Sequence, residues 1–177
     1  NLPSLDAGYV TVDASQAGVV IDGSLGVWDG LQIRSDGNVL QGLTISNFSG
    51  NGLLMYKGPA YNLIGGDRTV GNGPNGRGNT IGNGKEWGIF VQHGGTISNT
   101  FLGNYVGTDA SGTAALANRS GGVEISLGAK DNVVEGNVIS GNAYYGVHIA
   151  ISGTTDNRIE GNRIGTDGTG TAAVGNR

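Results

Sequence analysis

The chain has no cysteine among its 177 residues, which excludes a disulfide frame and a thiolate metal site and leaves the redox compartment open. It is also poor in charge. Lysine, arginine, aspartate and glutamate make up 14% of the residues, with a formal net charge of -4. No basic cluster or interleaved aromatic run offers itself to a phosphate backbone, so nucleic acid is not an expected partner. Apolar runs are short, and none approaches the roughly 20 residues of a membrane-spanning helix. Helical periodicity is missing too, because no stretch repeats apolar residues at i, i+3, i+4 and i+7. With 36 glycines in the chain, each costing a helix about 1 kcal/mol, helix content is expected to be near nil.

What the chain has instead is one three-part phrase, written five times. A glycine opens an apolar/variable/apolar triplet at Gly30-Leu-Gln-Ile33, Gly52-Leu-Leu-Met55, Gly88-Ile-Phe-Val91, Gly122-Val-Glu-Ile125 and Gly146-Val-His-Ile149. An Asn-x-apolar-x-Gly phrase follows, led by Asn38, Asn62, Asn99, Asn132 and Asn157. A third phrase closes each unit, as in Gly103-Asn-Tyr-Val-Gly107 and Gly161-Asn-Arg-Ile-Gly165. The leading glycines at 30, 52, 88, 122 and 146 are separated by 22, 36, 34 and 24 residues. The surplus in the two long gaps is confined to residues 67–77 and 108–118, between phrases, as loops on a stacked repeat are.

Within each phrase the apolar positions are two apart, which is strand periodicity. Three short strands per unit, bent at Gly/Asn corners and stacked about 4.8 Å apart, predict an all-β right-handed parallel β-helix, a solenoid. About five turns are expected over residues 30–177 as one continuous domain. Residues 1–29, with the runs Val10-Thr-Val12 and Val19-Val-Ile21, are expected to form a partial first turn. The five leading asparagines are expected to stack as a ladder, and the corner glycines and asparagines to adopt positive φ. The chain opens without a leader and stops at a corner where another strand should begin. It is therefore expected to belong to a longer protein, or to associate end to end through exposed terminal turns.

The units Gly-Asn-x-Ile-Gly-Thr-Asp and Asn-x-Ile-x-Gly-Asn, fullest from Gly103 to Arg119 and from Gly161 to Arg177, resemble the repeats of bacterial right-handed parallel β-helix proteins of the pectate-lyase-like fold class. That resemblance implies a secreted or surface-attached bacterial setting and, where such proteins act, a polysaccharide partner. Fold alone does not carry chemistry. The aspartate cluster and basic residue of the lyases, and the Asp-Asp, Gly-His-Gly and Arg-Ile-Lys signatures of polygalacturonase-like enzymes, are not found in this sequence.

Relatives of this fold that cleave polysaccharides bind substrate on the outer face of the first sheet. Alternation along a strand turns the middle residue of each first triplet outward, so Gln32, Leu54, Phe90, Glu124 and His148 are expected in one exposed row, flanked by Arg34, Tyr56, Gln92 and Ser126. Gln32, Tyr56, Phe90, Glu124 and His148 are the candidate carbohydrate-binding residues, with the aromatic rings as stacking platforms. Glu124 and His148, one turn apart, have the types of a base and its orienter, but no further catalytic residue joins them and no catalytic set is assigned. Trp28, Trp87 and Tyr144-Tyr145 precede leading glycines, either as further platforms or as covers over corners. His93 reads as a corner residue. No cofactor is expected apart from Ca²⁺, for which Asp109 and Asp167 in the two Gly-Thr-Asp loops are the candidate ligands, against the alternative that they only form turns. The expected function is that of a non-catalytic structural or adhesive segment of a larger bacterial surface or secreted protein, the alternative being a carbohydrate-binding or polysaccharide-modifying module.

Overall fold

A computed structural model describes residues 2–177. The chain winds as a right-handed parallel β-helix. Its first turn contributes β1 (Thr11–Asp13) and β2 (Val20–Asp22), and its second β3 (Leu31–Ile33), β4 (Val39–Gln41) and β5 (Thr44–Ser46). The third holds β6 (Leu53–Met55), β7 (Leu63–Gly65) and β8 (Thr80–Gly82), and the fourth β9 (Trp87–Gln92), β10 (Thr100–Leu102) and β11 (Tyr105–Val106). The fifth holds β12 (Gly121–Ser126), β13 (Val133–Glu135) and β14 (Val138–Ile139), and the sixth β15 (Tyr145–Ile149), β16 (Arg158–Glu160) and β17 (Arg163–Ile164). There is no helix among the described residues.

Each strand pairs in parallel with its equivalent one turn away, giving three sheets. The first is β3-β6-β9-β12-β15, the second runs from β1 to β16 and the third from β2 to β17. Residues 2–29 reach all three sheets, since Leu5 also bridges Ile33 and its N–H donates to the Gln32 carbonyl at 2.8 Å. The register matches equivalent phrase positions, so one inward residue per strand stacks into a column. Leu40, Ile64, Phe101 and Val134 form one column, and Ile45, Ile81, Val106 and Ile139 another, all buried. Burying each such side chain stabilises the fold by about 1.5–3 kcal/mol.

Buried amides run beside the apolar columns. Asn38, Asn62, Asn99, Asn132 and Asn157 form the expected ladder: the side-chain oxygen of each after Asn38 accepts from both the backbone N–H and the side-chain NH₂ of the asparagine one turn earlier, at 2.8–3.1 Å. Two further ladders repeat this geometry, Asn79-Asn104-Asn137-Asn162 and Asn118-Asn142-Asn176. Polar groups removed from water are costly unless paired, and here corner N–H groups that no strand partner reaches are satisfied by side chains.

The expected backbone reason for these asparagines needs correction. None of the first ladder has positive φ; the left-handed residue is the one before it, Gly37, Tyr61, Ser98, Asp131 and Asp156. The asparagines are selected for their amide, not for their φ. Nor do the leading glycines turn the chain through positive φ. A Cβ on Gly122 would lie 2.6 Å from the Gly146 carbonyl oxygen and overlap Ile139, so the glycine is there because the corner packs backbone against the core.

Both insertions lie between strands. Residues 67–77 fold back over the first turn, where the Gly73 N–H donates to the Ser15 carbonyl at 2.7 Å. Residues 108–118 make a short antiparallel excursion with a Thr108–Ala115 bridge, repeated in 166–173 by Thr166–Ala173.

Candidate functional site

The first sheet sets its outward residues in register: Gln32 beside Leu54, Leu54 beside Phe90, Phe90 beside Glu124 and Glu124 beside His148. The row exists, but it is not an exposed strip. Leu54 is only 8% exposed, and Gln32, Phe90, Glu124 and His148 are half-buried. The cause is the neighbouring side chains, which divide the row into two unlike halves.

In the first half, polar groups tie one another down. The Tyr56 hydroxyl donates to Gln32 Oε1 at 3.3 Å, and Gln32 Nε2 donates to Asp29 Oδ2 at 3.1 Å. Two cations approach the Tyr56 ring, Arg34 at 5.7 Å and Lys57 at 5.4 Å from its centroid. Arg34 is itself held by a two-pronged bond to Asp6, with Nε and Nη2 each 2.8 Å from a carboxylate oxygen.

The second half is aromatic. Trp87, Tyr145 and His148 lie nearly parallel, with interplanar angles of 4–16°, and their centroids are 4.6, 5.8 and 6.0 Å apart. The longest separation is far short of what a column of three rings would show, so the centroids form a triangle and the rings leave open face. Trp87 and Tyr145 begin strands two turns apart, with Gly121 in register between them. The missing side chain at Gly121 lets the indole lean across: a Cβ there would overlap the Trp87 ring. Tyr145 is 52% exposed, so the patch is reachable from solvent. Trp28 is exposed too but stands apart from this cluster, over Gly50.

Glu124 lies at the edge of the rings, its Oε2 3.7 Å from His148 Nδ1. That nitrogen is buried and has no hydrogen-bond partner, so base and orienter are neighbours without the 2.6–3.2 Å contact that proton transfer uses. Chemically, the arrangement offers flat ring faces edged by the Glu124 carboxylate, a combination suited to a ligand with one apolar and one hydroxylated side.

The two loop aspartates face inward on their own loops. Asp167 Oδ1 accepts from the Thr169 N–H and hydroxyl and from the Thr171 and Ala172 N–H groups. These bonds, led by the Thr169 hydroxyl, hold its carboxyl below the usual aspartate range. Burial would push Asp109 upward, but the Ser111 hydroxyl and the Ala114, Thr113 and Gly112 N–H groups outweigh it, and this carboxyl too is lowered. The loops touch, Gly168 N–H donating to the Gly112 carbonyl at 3.0 Å. Donors surround each carboxylate, where Ca²⁺ needs a set of oxygens, and no three His, Asp or Glu residues among those described converge on one point. His93 occupies a left-handed corner with φ of 74°.

Trp87 and Tyr145, which sequence left between platform and corner cover, thus prove to be outward strand residues of the site. The signal was their position, one before the leading glycine in two copies, with glycine at the same place in the copy between. No helix among the described residues is long and apolar enough to cross a membrane. No family model, no curated protein and no solved structure matches this chain.

Proposed function

We propose that this chain is a stiff, non-catalytic adhesive segment of a bacterial surface or secreted protein, and that it contacts polysaccharide through the outward face of its first sheet. The observation that carries this reading is the open triangle of Trp87, Tyr145 and His148 beside Glu124. Rings held by a sheet lose little freedom on binding, so stacking a sugar against them needs no rearrangement of the backbone. Row positions recur about every 4.8 Å along the axis, which lets a chain lying on the sheet meet Glu124, Phe90 and the Tyr56–Gln32 pair in succession. The repeat resemblance supports both the extracellular setting and the carbohydrate class.

The test is a polysaccharide array probed with the labelled chain and with Phe90→Ala and Glu124→Ala. Retention on a glycan that both variants reduce, with unchanged circular dichroism, is the expected result. Variants that bind as well as the parent would remove the row from any ligand contact. A polysaccharide-modifying reading rests on the 3.7 Å approach of Glu124 to His148. Release of new reducing ends, abolished by Glu124→Gln, would put that reading in place of simple adhesion.

A further inference from the structure

Before each strand of the second sheet the chain turns a corner, and the corner residue is left-handed in every turn. These residues are Tyr9, Gly37, Tyr61, Ser98, Asp131 and Asp156, in register, with φ of 54–68°. Glycine accepts this conformation freely and aspartate tolerates it, whereas a bulky aromatic residue there is an outlier. Packing does not explain the two tyrosines, because Tyr9 is 85% exposed and Tyr61 69%. Backbone strain held without a packing reason points to a role for the side chain.

The surroundings give that role its chemistry. Gly37 stands between the tyrosines and makes room for the first of them: a Cβ there would lie 2.6 Å from the Tyr9 ring. Turns recur about every 4.8 Å, so the tyrosines are rooted about 9.6 Å apart. A group seated midway falls within the ~6 Å over which a ring attracts a cation. The anion is supplied by Asp36, which is exposed. Its Oδ1 accepts from the N–H of Ala60, the residue before Tyr61, at 2.8 Å, and its carbonyl accepts from the Tyr9 N–H at 2.8 Å. Asp36 is thus bonded to both tyrosine-bearing segments. Among the described residues no group donates to its Oδ2, and no cation pairs with it. The basic side chains nearest in sequence are engaged elsewhere, Arg34 by Asp6 and Lys57 over the Tyr56 ring.

We propose that Tyr9, Asp36 and Tyr61 bind a methylated organic ammonium group, such as that of choline. Ring faces and a carboxylate both attract such a cation, and its methyl groups pack against the rings. A primary ammonium is more strongly hydrated and costs more to strip of water. One carboxylate is too few oxygens for Ca²⁺. The corner shares no residue with the ring patch of the first sheet, so the two assignments stand or fall separately.

NMR titration of the isotope-labelled chain with choline, with ethanolamine and with the neutral tert-butyl analogue of choline tests it. Saturable choline shifts at the Gly37 and Tyr61 amides are expected, with ethanolamine weaker by about threefold or more and no saturable response to the neutral analogue. Tyr61→Gly suits the left-handed corner, so it is expected to fold like the parent while losing about threefold or more in choline affinity. Asp36→Asn should weaken choline as well, and Tyr61→Phe, which keeps the ring, should bind it like the parent. Co-sedimentation with phosphatidylcholine but not phosphatidylglycerol vesicles would assign the ammonium to a lipid headgroup, and choline binding without it to a free cation. Equal responses to choline and its neutral analogue, a Tyr61→Gly variant that binds choline like the parent, shifts confined to the surroundings of Trp87, or no saturable response to choline would each overturn the proposal.

Discussion

Asn99 shows how much one side chain does in this fold. Its amide oxygen accepts from both nitrogens of Asn62, and its NH₂ donates to the Pro59 carbonyl and to Asn132 Oδ1. Asn99→Ala leaves the Asn62 N–H buried and unpaired and takes from the Pro59 carbonyl one of its two donors, the other being the Ile97 N–H, and a destabilisation of about 1–3 kcal/mol is expected from an orphaned group of this kind. Urea unfolding would measure it. Gly121 acts by what it lacks: Gly121→Ala should push the indole of Trp87 off His148, seen as a change in tryptophan emission with little change in backbone circular dichroism. The first ladder was legible because five asparagines recur at one phrase position. The second was legible in principle, since Asn79, Asn104, Asn137 and Asn162 each follow the glycine that opens the third phrase. What could not be read was the division of labour at the corner, with the left-handed backbone falling on Tyr61, Ser98, Asp131 and Asp156, residue types that favour αL less than glycine does.

At the scale of elements, alternation predicted which triplet residues face outward, and the register confirms it turn by turn. It did not predict that Leu54 would be covered or that the aromatic half would assemble, because both depend on side chains reaching across turns. The two Gly-Thr-Asp loops carry a pH dependence that follows from their geometry. Asp109 and Asp167 have folded-state pKa values below their ordinary ones. Their contribution to stability is therefore present above the unfolded-state aspartate pKa and is lost as pH falls through the lower folded-state value. Melting temperature should drop on acidification below about pH 4, and Asp167→Asn should flatten part of that drop while lowering stability at neutral pH. A variant with an unchanged acid limb would show that the loop bonds are not formed in solution.

At the scale of the whole molecule, the strand contacts are between turns, and their long sequence separation implies slow folding compared with a helical protein of equal size. The same stacking makes the chain a stiff rod, with three ladders and the apolar columns running along its axis. Stiffness is what gives the first-sheet face its proposed use, because rings two turns apart, Trp87 and Tyr145, stay in a fixed relation. The most direct test of that central claim is affinity electrophoresis through gels containing a neutral β-glucan or polygalacturonate, comparing the parent with Trp87→Ala and with Trp28→Ala as a control. Retardation of the parent and of Trp28→Ala, lost in Trp87→Ala while the fold is kept, is the predicted result. A Trp87→Ala variant retarded as strongly as the parent, or a parent retarded by neither polysaccharide, would contradict it.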